Sequence, residues 1–179
     1  MVSRLLITLS AGLLLAAPAE TRVEVTETGG VYQVTAAFAV NATPQAVMAV
    51  LSDYERIPAY MPDMEVSKVI ERTAGGVVVE QQAVSRFMLF SKRVHLELEV
   101  RESDDQLRFR DRCGKSFAEY EGSWAISQHD SLTVVDYQLT AKPLFEVPSF
   151  VLKRLLKRDS TQLIDRIKVE IAERANRRK

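Results

Sequence analysis

The stretch PSFVLKRLLKRDSTQLIDRIKVEIAERA, residues 148–175, decides the fold. Within it Phe150, Val151, Leu155, Leu156, Leu163, Ile164, Ile167 and Ile171 recur at the spacing of one helix face. The spacing predicts a long amphipathic helix with one continuous apolar stripe, and such a stripe must be buried against another layer. Asp159 and Ser160 cap helices better than they propagate them, which predicts a bend near the middle. Lys153, Arg154, Lys157 and Arg158 form a basic cluster on this segment. It suits either a solvated face, diluted by Asp159 and Asp165, or the head groups of an anionic lipid surface.

Upstream of that helix the period changes from helical to two. Val94, Leu96, Leu98 and Val100 point one way while His95, Glu97, Glu99 and Arg101 point the other, a strand with one dry and one wet side. Tyr32, Val34, Ala36, Phe38 and Val40 give a first strand, and Leu107 with Phe109 a short one. Ala118, Tyr120, Gly122, Trp124 and Ile126 share a face, as do Thr133, Val135, Tyr137, Leu139 and Ala141. Gly75-Gly76 separates two further extended segments as a hairpin would. Between the first strand and these, Thr43 and Pro44 supply a cap and a first-turn proline for a helix that buries Val47, Val50 and Leu51. Ser52 and Glu55 have capping-box spacing for a second short helix, which Pro58 and Pro62 keep from growing.

The resulting order is strand, two short helices, six strands, long helix. It predicts an α+β helix-grip fold, a curved antiparallel sheet of about seven strands around the C-terminal helix. Residues 31–179 form that unit and residues 20–30 an N-terminal extension. Residues 1–19 read as a signal peptide: a positive start at Met1 to Arg4, an apolar core from Leu5 to Ala16, and a small-x-small cleavage pattern at Ala17-Pro18-Ala19. The apolar core is shorter than the roughly 20 residues that a spanning helix needs. The expectation is export, to the periplasm or elsewhere in the cell envelope.

Composition narrows the function. The 179 residues carry 24 Lys plus Arg against 24 Asp plus Glu, so no net field gathers nucleic acid. Cys113 is the only cysteine, so no internal disulfide exists, and the thiol reads as a small buried hydrophobe. His95 and His129 are the only histidines and no metal-ligand spacing is present, so neither metal nor cofactor is expected. The chain has no nucleophile elbow and no nucleotide-binding glycine loop.

With these elements in place, the sequence resembles the START-like polyketide cyclase/dehydrase and coenzyme Q-binding superfamily, which includes birch-allergen-like proteins. The resemblance runs from about Tyr32 to Ala175. It is carried by Phe38-Ala39-Val40-Asn41-Ala42-Thr43-Pro44, by Val47 and Val50-Leu51-Ser52-Asp53-Tyr54, and by Ile57-Pro58-Ala59-Tyr60-Met61-Pro62. Glu121-Gly122-Ser123-Trp124, Thr133-Val134-Val135-Asp136-Tyr137 and Pro143 carry it further. What it implies is a cavity between sheet and helix that holds a lipid, quinone, sterol or polyketide-like molecule in different members.

Trp124, Tyr137, Tyr120 and Leu155 are the candidate cavity-wall residues, since an aromatic offers a large contact area and, in Tyr and Trp, a polar tip that orients a greasy ligand. Ordinary core packing gives the same pattern. Phe87-Met88-Leu89-Phe90 is an apolar run at a joint between strands, where a loop is normally polar. It reads as a gate or membrane-touching loop, or as a buried bend. Glu119 with Glu121, and Arg108 with Arg110 and Arg112, share strand faces and read as wet surface charges. Binding and transport of a hydrophobic small molecule such as a lipid or isoprenoid quinone, with transient membrane contact, is the leading expectation. The alternatives are an aromatase/cyclase or dehydratase enzyme drawing on Asp136, Tyr137 or Glu119, and an envelope interaction module.

Overall fold

The computed structural model describes residues 21–87 and 90–177. The signal-peptide reading of 1–19 and the middle of the gate reading, Met88 and Leu89, lie outside these residues.

Eight strands form one antiparallel sheet: β1 (Arg22–Thr28), β2 (Val31–Val40), β3 (Met64–Thr73), β4 (Gly76–Phe87), β5 (Phe90–Glu102), β6 (Gln106–Asp111), β7 (Phe117–His129) and β8 (Leu132–Pro143). Their spatial order is β1-β2-β8-β7-β6-β5-β4-β3. The long helix α3 (Ser149–Arg177) lies across the apolar face, and α1 (Pro44–Leu51) and α2 (Ile57–Tyr60), with the 3-10 turn Tyr54–Arg56 between them, fill the connection from β2 to β3. This is the helix-grip arrangement, with one strand more than the alternation suggested. The additional strand is β1, in the segment read as an extension. Gly29 and Gly30 both have positive φ, 61° and 80°, and form a two-residue turn whose twist suits a hairpin. Val23 thereby pairs with Ala36 and is buried.

The alternation of β2, β5 and β8 is realised as expected. Val34, Phe38, Leu96, Leu98, Val100, Val135, Tyr137 and Leu139 are all buried, while the opposite side carries ion pairs such as Arg110 with Glu99 and Arg112 with Glu97 and Glu71. In β7 the pattern breaks. A register shift between Phe117 and Glu119 turns Phe117 inward and leaves Ala118 exposed, because a bulge inserts one residue and reverses the facing of everything before it.

The helices depart from expectation in three places. Thr43 caps α1 through Ala46 N as predicted, but the Ser52 hydroxyl donates back to Met48 O instead of capping the next turn. The helix α3 runs on through Asp159 and Ser160 without interruption, and Ser160 is buried. Phe150 lies off the stripe, 69% exposed, and Leu152 takes its place in the core.

Two polar anchors fix the grip. The buried Thr133 of β8 donates to Ala42 O, tying the sheet to the start of α1. At the other end Arg174 of α3 pairs with Glu170 and Asp53 and donates to Ala49 O, so the helix is tied to α1 and to the turn after it.

Candidate functional site: an internal apolar cavity

A sheet of eight twisted strands cannot be filled by one helix along its full width. Between α3 and the strands β4 to β8 a cavity of about 440 Å³ remains, within the range of small-molecule pockets. Val79, Leu96 and Leu98 form part of its floor and Leu155, Leu156 and Leu163 part of its roof. Leu155 is buried, whereas Leu156 and Leu163 are only partly so, because part of their surface faces the void.

All four residues proposed from sequence as cavity wall, Trp124, Tyr137, Tyr120 and Leu155, line this space. Trp124 and Tyr137 are cross-strand partners whose rings stack at 4.2 Å. Tyr120 stands four residues before Trp124 on the same face of β7, its ring held between Phe117 at 4.8 Å and Phe109 at 6.1 Å. Gly122 makes that packing fit: a Cβ there would lie 2.6 Å from Phe109 Cζ and 2.3 Å from Gln138 O.

Burial pushes the Tyr120 phenol up to about 12, helped by the negative charges of Asp111 and Asp159. The Tyr137 phenol is pushed well above its ordinary value by burial and by nearby Tyr120, while a hydrogen bond from the Ser160 side chain pulls the other way. Both phenols are therefore neutral donors throughout the physiological range. Ser160 and the aromatic Phe117 and Phe145 are wall residues that the sequence reading missed. Ser160 sits alone among charged neighbours, Phe145 lies in a loop, and Phe117 is displaced by the bulge.

The groups drafted for acid/base chemistry do not converge here. Asp136, Glu119 and Glu121 are exposed on the outer side of the sheet, because their register positions alternate with those of Tyr137, Tyr120 and Gly122. Only Tyr137 of the drafted set faces the cavity. Among the described residues no group of His, Cys, Asp and Glu is arranged to hold a metal ion. Cys113 is half-buried, its thiol raised chiefly by burial and donating to Asp111.

The cavity opens where its lining becomes exposed, at Ser91, Lys92 and Glu146. The rim thus joins the start of β5 to the loop between β8 and α3, and Lys92 lies over the Phe145 ring at 4.9 Å. Of the gate reading, only the strand ends Phe87 and Phe90 lie among the described residues, and Phe90 directly precedes the rim residue Ser91. The backbone pairs Phe87 with Phe90, the ends of the β4–β5 hairpin. No described helix is long and apolar enough to cross a membrane.

Solved structures share this architecture. A START superfamily protein from Mycobacterium smegmatis superposes with a TM-score of 0.67 at 16% identity, over 79% of this chain and 97% of its own. The Zhui aromatase/cyclase from a Streptomyces species gives 0.70 at 14% identity, over 81% and 96%. A STAR-related lipid transfer protein from Xanthomonas axonopodis gives 0.65 at 14% identity, over 86% and 99%. At these identities the likeness is one of fold. No curated protein matches the chain in sequence. Residues 40–168, from the last residue of β2 to well into α3, match the family described as polyketide cyclase / dehydrase and lipid transport, and a match over so much of the chain, on a helix-grip fold with an apolar cavity, makes this protein a member of that family.

Proposed function

We propose that the protein binds a hydrophobic small molecule, a lipid or an isoprenoid quinone, in this cavity and carries it within the cell envelope after loss of residues 1–19. The observation that carries the reading is the apolar cavity under α3, open at a rim and free of any converging nucleophile, acid/base pair or metal set among the described residues. Burial is then the source of affinity. At about 25 cal/mol per Å² of apolar surface removed from water, an enclosed tail or ring system is held with few polar contacts. Residues that flank the rim-forming Phe145 to Val147 support contact with a membrane: Leu144 is 59% and Phe150 69% exposed, and Arg154 and Lys157 are exposed on the first turns of α3.

Mass spectrometry of molecules extracted from the mature protein, purified under mild conditions, tests the reading. A reproducible co-purifying lipid or quinone is the expected result. An empty cavity together with turnover of a polyketide-like substrate would replace it by the aromatase/cyclase reading, which the two protonated phenols inside the cavity favour. An interaction module that needs only a filled core fits the open cavity poorly.

A further inference from the structure

The polar groups inside the cavity are unevenly engaged. Gln81 donates its amide N–H to Ser67 and the Tyr54 phenol donates to Glu102. Tyr60 stands among the charges of Arg174, Glu170 and Asp53, and the Tyr137 phenol stacks on Trp124 with the Ser160 hydroxyl directed at its oxygen. Tyr120 is different. It occupies a central strand and faces inward, its ring is fixed on two sides by Phe117 and Phe109, and its hydroxyl has no hydrogen-bond partner among the described residues. Its strand neighbour on β8 is Ala141, which is small enough to leave the phenol open to the void. Tyr120 is partly buried because its surface faces the void, and a rigidly held donor without a protein partner on an apolar wall marks the place where a ligand acceptor gains most.

The charge around that place restricts the atom. Lys92 is the one cation among the described lining residues, and it sits at the exposed rim. Of the two carboxylates whose charge reaches the phenol, Asp111 and Asp159, Asp159 lines the cavity and is paired with Arg158 at 2.6 Å. A carboxylate or phosphate placed beside Tyr120 would be buried with no counter-charge, which is far more costly than burying a carbonyl that receives one hydrogen bond.

We propose that the cavity selects a neutral ligand bearing a carbonyl or ether oxygen, and that the Tyr120 hydroxyl donates the hydrogen bond that selects it. The proposal rests on the ligand-binding reading above. Trp124 and Tyr137 then provide the flat apolar wall for the ligand body.

Three probes with one ring system test it on the mature protein by calorimetry: acetonaphthone as the neutral acceptor, ethylnaphthalene as its hydrocarbon counterpart, and naphthoate as the anion. The wild-type protein should bind acetonaphthone most tightly and naphthoate least. Tyr120→Phe should reduce acetonaphthone affinity by about 5- to 10-fold, the worth of one neutral hydrogen bond, and leave ethylnaphthalene unchanged. In the empty protein the same variant should melt no lower than wild type, because the hydroxyl it removes has no partner. An unchanged ratio of acetonaphthone to ethylnaphthalene in Tyr120→Phe, or a wild-type preference for naphthoate, overturns the proposal while leaving the binding function standing. Failure of all three to bind removes the binding reading and the proposal with it.

Discussion

Trp124 and Tyr137 face each other directly across β7 and β8, rings stacked at 4.2 Å, and the pair is at once core and cavity wall. Because each ring supports the other, the two should not behave independently. Trp124→Leu is expected to lower stability by about 3 kcal/mol, and a double-mutant cycle with Tyr137→Leu should show a coupling of about 1 kcal/mol. Urea denaturation measures both. Retention of the co-purified ligand should fall in each single variant; retention equal to wild type in both would restrict the pair to packing.

Gly122 lets the Phe109 ring lie flat over β7. A methyl group there meets Phe109 Cζ at 2.6 Å and the backbone oxygen of Gln138 at 2.3 Å, and only the ring yields easily. Gly122→Ala should cost about 3 kcal/mol or more, because moving Phe109 toward the cavity leaves the clash with the Gln138 backbone oxygen to be relieved by the β7–β8 pairing. Weaker uptake of a bulky apolar probe, with near-wild-type uptake of a small one, is the signature to look for in a binding titration.

The ion cluster at the end of α3 predicts an acid-sensitive tie between that helix and the segment of α1 and the turn after it. Burial works to raise Glu170, but its hydrogen bond to Arg174 and the charges of Arg174, Arg177 and Arg56 outweigh burial and leave its carboxyl below the ordinary value. A carboxylate depressed in the folded state contributes stability that is present above its unfolded pKa, about 4.3, and is lost as pH falls through the folded value. Glu170→Gln should therefore flatten the acid limb of the stability profile. Arg174→Met should cost about 1–2 kcal/mol near neutrality, since it leaves the buried Glu170 carboxylate only the longer contacts to the half-exposed Arg56 and Arg177. Thermal melts from acid to neutral pH check both.

Phe150 and Leu144 point to solvent beside the rim, where an apolar side chain gains nothing from folding. Phe150→Ser should leave the melting temperature within about 1–2 °C of wild type, as surface changes do, yet reduce association with anionic lipid vesicles by several-fold. Sedimentation with vesicles reads the loss, and binding equal to wild type would count against membrane contact through this rim.

Most of the architecture is legible in the sequence wherever one periodicity is sustained. The alternation of β5 and β8 and the apolar stripe of α3 are uninterrupted, and each identifies its buried face. The strand β1 is different: only Val23 is fully buried in it, and its clearest sign is the Gly29-Gly30 turn, the same kind of signal as Gly75-Gly76. The bulge at Phe117 leaves no compositional trace, so Ala118 and Phe117 exchange faces. Trp124, Tyr137, Tyr120 and Leu155 are found because cavity wall and core share one pattern. Ser160 is not, since a hydroxyl on a helix between charged residues gives no hint that it points inward.

The pairing of β2 with β8 sets a condition on how the chain acquires this structure. Tyr32 meets Ala141 more than a hundred residues later in the sequence, and the roof over both is α3, later still. Until those segments are available, β2 has only its hairpin partner β1, and the greasy floor of the grip lies bare. Folding that depends on such distant pairings is slow and passes through sticky intermediates. The emerging polypeptide therefore has a period of vulnerability that only a holding chaperone, or a hydrophobic guest already seated on the strands, would shorten.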